Sequence, residues 1–170
     1  MNSESERNHY LTFTVLEWLY RLSQIVGPEY QIVQTRNFAI LAPEPYSKRL
    51  AEFCQTTRKK LTKMFSKVPG GELGYPIAII AFPSEAHFYY SYMYFYTPED
   101  LNDSAASAGV FFGDPTNHHI VFQHDFNSKY TSYEAIVAHE LSHSFLTHLN
   151  LPLWLDEGIT QTVEEMVAGP

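Results

Sequence analysis

The stretch that decides the fold runs from Ile136 to His148, IVAHELSHSFLTH, and continues past a proline into Leu151–Glu165, LPLWLDEGITQTVEE. Within it, His139-Glu140-Leu141-Ser142-His143 is an HExxH motif. Its setting predicts a helix from about Ser132 to Leu149, because Ala135, Ile136, Val137, Ala138, Leu141, Phe145 and Leu146 surround the polar trio with apolar side chains. Residues four apart lie one turn apart on the same helical face, so His139 and His143 can reach one metal ion. Glu140 follows the first histidine directly and can turn toward water at that metal as a general base. The competing use of such a helix is structural, with both histidines satisfied by hydrogen bonds in a core.

A third ligand favours the metal reading. Glu157, in Asp156-Glu157-Gly158, follows His143 with 13 residues between them, beyond the turn marked by Pro152 and at the start of another helix. A helix returning antiparallel would bring Glu157 beside the two histidines. Two imidazoles and one carboxylate leave a fourth position of a zinc ion open for water, as catalytic zinc requires. Zinc would acidify that water, and Glu140 would take its proton during attack on a polarised carbonyl.

These two strings resemble the active-site and glutamate helices of the gluzincin metallopeptidases. More narrowly, they resemble the short peptidase-MA-like domains, in which HExxH is followed by a W-L-x-E-G segment, here Trp154-Leu155-Asp156-Glu157-Gly158. The resemblance spans residues 133–165 and implies Zn2+ held by His139, His143 and Glu157, with Glu140 as the catalytic base. It also implies that residues 109–112 form an edge strand beside the cleft, where an extended peptide adds as a further strand. Glu164, seven residues after Glu157, stands where similar sequences often carry an acid, and Gln161 where some carry an aspartate. Asp156 is expected to cap the helix or face water.

Larger gluzincins separate the second histidine from the glutamate by a longer interval and supply a Tyr or His from a later subdomain to stabilise the oxyanion. Here 13 residues follow Glu157, with no Tyr, His or Arg among them. The electrophilic partner is therefore expected from upstream, from zinc alone or from a partner chain that completes the cleft.

The rest of the chain supplies the body. Leu11, Val15, Trp18, Leu19, Leu22 and Val26 recur at helical spacing, and Gly27-Pro28 ends that helix. Asn37–Ala42 reads as a strand, Tyr46–Lys67 as a helix, and Pro76–Phe82 as a strand buried on both faces. Ser84 can cap a helix carrying the aromatic run Phe88–Tyr96, and Thr97-Pro98-Glu99-Asp100 is a further helix-start signature. After a loop over Ser104–Gly109 come strands at Val110–Phe112 and Ile120–Phe122, separated by a Gly113-Asp114-Pro115 turn. The last helix begins near Trp154 or Leu155. This order gives one α+β domain over residues 1–170, zincin-like, with a mixed twisted sheet packed on the HExxH helix and the glutamate-bearing helix that follows. Residues 1–27 form the N-terminal helix on the body, and residues 133–165 carry the zinc site.

Composition sets the outer bounds. The chain has 170 residues and a single cysteine, Cys54, so no intramolecular disulfide framework or multi-cysteine zinc finger is available. The net charge of −8 argues against nucleic-acid binding. Seven of 11 basic residues lie between positions 48 and 67, the wet face of a helix, whereas 13 acidic residues and seven of eight histidines follow Lys67. An acidic C-terminal half suits a metal or basic peptides. The stretch Leu11–Val26 is interrupted by Glu17, Arg21 and Gln24, and the N-terminus is acidic, so neither a membrane span nor an export signal is expected and the location defaults to cytoplasmic. His118, His119 and His124 are expected on the surface beside a strand, His148 near a helix end, and Cys54 in the core. Tyr89, Tyr90, Tyr92, Tyr94 and Tyr96 are expected to pack or to line a cleft.

Two functions follow. The first is a zinc metallopeptidase acting on peptides or unfolded protein. The alternative is a zinc-binding but catalytically silent or latent domain that serves as a scaffold or awaits a partner.

Overall fold

A computed structural model describes residues 3–68, 70, 73–82, 109–114, 117–124 and 133–169. Helix α1 spans Glu4–Val26 and is started by Ser3, whose hydroxyl accepts from the Glu6 N–H at 3.2 Å. Its apolar stripe, Leu11, Val15, Leu19, Leu22 and Val26, is buried, and Gly27 closes it at φ 127°, a conformation that favours glycine. Strand β1, Tyr30–Gln34, leads into β2, Phe38–Pro43, and helix α2 covers Glu44–Met64. Strands β3 (Ile77–Phe82), β4 (Gly109–Asp114) and β5 (Asn117–Gln123) precede helix α3, Tyr133–Leu146, and a 3-10 turn, Thr147–Leu149. Helix α4, Leu153–Ala168, follows.

The five strands form one mixed sheet in the order β1-β2-β3-β5-β4. The pairs β2/β3 and β3/β5 are parallel, and the outer pairs β1/β2 and β5/β4 are antiparallel. Parallel central strands must be covered on both faces, and the period of two along each strand supplies the two sets of side chains. Phe38, Ile40, Ala42, Ile77, Ile79, Ala81, Ile120 and Phe122 face α2, α3 and α4, packing with Leu50, Cys54, Leu61, Val137, Leu141, Phe145 and Val163. Ala39, Leu41, Ala78, Ile80, Phe82 and Val121 face α1. Among the described residues, this is an α+β domain with the sheet between one helix and three.

Several boundaries differ from the sequence reading. Strand β1 was not expected. Its side chains alternate weakly, with Gln31 and Gln34 among five residues, as suits an edge strand that only β2 pairs. Helix α1 begins seven residues before Leu11 because its first two turns are exposed and polar, so apolar spacing could not mark them. Helix α2 stops at Met64, and the HExxH helix tightens into a 3-10 turn after Leu146. Gly113 and Asp114 belong to β4 and not to a turn. The expected helices over Phe88–Tyr96 and from Thr97, with the tyrosines they carry, lie outside the described residues.

The basic run of α2 is mostly exposed, but Arg58 is buried with its guanidinium 5.3 Å from the Phe145 ring centroid. Cys54 is buried as expected, and burial pushes its thiol far up. Among the described residues no helix is long and apolar enough to cross a membrane.

Candidate metal centre

The centre is built by two helices and the sheet edge. Helix α3 presents His139, Glu140 and His143, its apolar residues being turned to the core. Asn150 then adopts the left-handed conformation, φ 48° and ψ 48°, and Pro152 starts α4. The reversal makes α4 return along α3: His143 meets the start of α4, while His139 meets Glu164 further along it.

The result is a close cluster. His139 Nε2 lies 3.1 Å from His143 Nε2 and 3.4 Å from Glu157 Oε2, and His143 Nε2 lies 3.6 Å from Glu157 Oε1. On the far side of each ring, His139 Nδ1 lies 3.1 Å from Glu164 Oε2, and His143 Nδ1 lies 2.9 Å from Asp156 Oδ2. A carboxylate only accepts, so each Nδ1 must carry the proton. Each ring then turns its Nε2 inward, toward the Glu157 carboxylate. Acceptor atoms therefore converge at 3.1–3.6 Å, an arrangement that could hold a metal ion. The spacing suits a metal, since a tetrahedron with bonds of about 2.0–2.1 Å has edges of about 3.3–3.4 Å. The donor set of two imidazoles and one carboxylate fits zinc.

Glu140 stands beside the cluster in a different environment. It is 7% exposed, and its carboxylate accepts from the Phe111 N–H of β4. Burial raises its carboxyl above the usual range, while the facing His139 and His143 and the Phe111 N–H act in the opposite direction. Gly109 permits this approach: a Cβ there would stand 2.6 Å from Ile136 Cγ2 and 3.2 Å from Glu140 Cγ.

The cleft over these groups measures about 410 Å³. Gly109, Val110 and Phe111 of the edge strand form one wall, as expected for residues 109–112, and Thr147, Leu153 and Asp156 line the remainder. His139, His143 and Glu157 are thus brought together, and Glu140 lines the same cleft. Glu164 reaches His139, whereas Gln161 is exposed and does not line the cleft.

Two expectations require correction. Asp156 does not cap α4; partly exposed, it gives its carboxylate to His143 across the helix pair. His118, His119 and His124 are 7%, 4% and 7% exposed, so they are interior residues of the β4/β5 end of the sheet and not surface ones. Aromatic neighbours enclose them, including Phe112 stacked on His119 at 4.8 Å and Phe111 edge-on to His118 at 5.5 Å. His148 is exposed, as expected.

Sequence reasoning missed Thr147. Its signal was available, because it continues the i, i+4 ladder from His139 and His143. No family model, curated protein or solved structure matches this chain. The functional reading therefore rests on the motif and the site.

Proposed function

We propose that the chain is a zinc-dependent metallopeptidase of gluzincin type on a zincin-like fold, hydrolysing peptide bonds with Glu140 as general base. The observation that carries this reading is the pairing of two unlike carboxylates in one cleft. Glu157 points into a cluster of acceptor atoms that could hold a cation, while Glu140 stands beside it, buried and held by the Phe111 N–H. A purely structural metal site has no use for that second, buried acid.

His139, His143 and Glu157 would hold the ion, and a bound zinc ion supplies the positive charge that polarises a substrate carbonyl and acidifies water. The protein's own part is proton handling and placement. Glu140 takes a proton from the attacking water onto its carboxylate and returns it to the leaving amine. Desolvation assists the first transfer, because a raised carboxyl takes up the proton more readily than an exposed one. Strand β4 stands at the sheet edge and walls the cleft, which suits an extended peptide adding as a further strand, so unfolded segments are the substrate class that fits.

One observation favours the alternative of a zinc-binding but silent domain. Among the described residues lining the cleft, no Arg, Lys or Tyr stands ready to stabilise an oxyanion; Thr147 offers the one neutral hydroxyl. A diverse peptide pool incubated with zinc-loaded protein and with its Glu140→Gln variant, read by mass spectrometry, decides between the two. Cleavage by the parent that falls about 10²–10⁴-fold in the variant supports the peptidase. Zinc uptake without cleavage by either supports the silent domain.

A further inference from the structure

Asp156 occupies a first-turn position of α4, where an acid ordinarily serves its own helix through the N-terminal N–H groups. Here its carboxylate turns elsewhere. Oδ2 accepts from His143 Nδ1 at 2.9 Å, although His143 lies 13 positions earlier on another helix. Oδ1 is buried and has no hydrogen-bond partner among the described residues. The Asp156 side chain is 24% exposed, against 49% for its neighbour Glu157. A short, half-covered carboxylate committed to one ring nitrogen is poorly placed to stabilise α4 alone.

Consecutive residues of α4 therefore grip His143 from both sides. Asp156 holds Nδ1, and Glu157 faces Nε2 at 3.6 Å. Because a carboxylate can only accept, Asp156 selects the tautomer whose Nε2 lone pair points into the cluster. It also fixes the ring plane, leaving less rotational freedom to be lost when the cation binds. Glu164 plays the corresponding part for His139 through a longer side chain, 36% exposed and at 3.1 Å. The shorter and more covered clamp is the stiffer of the two.

We infer that Asp156 is a positioning residue that pre-sets His143 as a metal ligand, so that one turn of α4 delivers both the carboxylate ligand and the orientation of its histidine partner. This rests on the reading of His139, His143 and Glu157 as a metal site.

The test measures zinc affinity by competition with a chromophoric chelator, for the full chain and its Asp156→Ala and Asp156→Asn variants. Thermal unfolding of each metal-stripped protein is followed in parallel. Asp156→Ala is expected to bind zinc about 10–100-fold more weakly. Asp156→Asn, whose amide oxygen can accept the same N–H, is expected to recover most of that loss, with all three metal-free midpoints alike. Unchanged affinity in Asp156→Ala overturns the inference. So does a lowered metal-free midpoint in Asp156→Ala with no recovery of zinc affinity by Asp156→Asn, which would assign the residue to helix stability. A parent chain that takes up no zinc, or a His143→Ala variant that binds as well as the parent, overturns the metal site itself. That result is separate, because it appears without any change at Asp156.

Discussion

The histidines of α3 and those of β5 share a side chain and differ in what stands behind it. His139 and His143 each place Nδ1 against a carboxylate and turn Nε2 toward Glu157 in an open cleft. His119 is closed between Phe112, stacked at 4.8 Å, and Trp18, edge-on at 5.2 Å, and His118 meets Phe111 and Tyr75. In the first region each ring pairs with a carboxylate on one side and faces a group that could hold a metal ion on the other. In the second it is a flat, weakly polar packing unit among aromatic rings, and His119 packs beneath α1. A histidine's role is thus decided by the atoms behind its ring and not by its own burial, since both groups are largely covered.

The sharpest way to break that contrast is to remove one ring from each region. His139→Ala is expected to weaken zinc binding by roughly a hundredfold or more, beyond what loss of a supporting carboxylate causes. Stability of the metal-free protein should change little, because the ring borders a cleft. His119→Ala should do the reverse. It is expected to lower stability by about 2 kcal/mol through lost ring contacts, with zinc affinity unchanged. Chelator competition and urea unfolding on both variants check the pair, and weakened zinc binding in His119→Ala would erase the distinction.

A second variant tests the junction of the two regions, where β4 meets α3. Gly109→Ala places a methyl 2.6 Å from Ile136 Cγ2 and against Glu140 Cγ. It is expected to destabilise by about 1–3 kcal/mol. Displacing Glu140 should also lower hydrolysis more than zinc affinity. Urea midpoints and peptide turnover, measured on the same preparation, separate the two effects.

The smallest effect concerns His124, whose ring lies edge-on to Tyr133 at 5.5 Å. Burial, reinforced by the Glu134 charge, pushes the Tyr133 phenol from 10.0 up to about 12. A group raised in the folded state stabilises fully below its unfolded value and loses that contribution as pH climbs through the folded one. The parent's urea midpoint should therefore fall more steeply between about pH 10 and 12 than that of Tyr133→Phe. Parallel slopes would show that the phenol is not held by the fold.

Much of the centre was legible before any coordinates. The i, i+4 spacing of His139 and His143 placed both on one helical face, and the proline-marked turn before Glu157 announced the return of α4. Residues 109–112 were expected to border the cleft, and Gly109, Val110 and Phe111 of these line it. Strand β1 was not, because an edge strand carrying glutamines lacks the apolar signature of β3, whose six residues are all buried. Nor was the burial of His118 and His119. Flanking an apolar strand they read as surface residues, and nothing local says that Trp18, about a hundred positions earlier, will close over one of them.

By itself, the sequence determined the helical elements with strong apolar periodicity, the buried central strand and the shared helical face of His139 and His143. Those features depend on spacing within one segment, where a period of 3.6 or 2 sets which side chains share a face. Only the tertiary structure decided what stands behind each ring. The clamp of Asp156 on His143, the approach of Glu140 to β4 and the aromatic enclosure of His119 all join residues from separate elements. A side chain's surroundings come from the packing of those elements, which no spacing along the chain encodes.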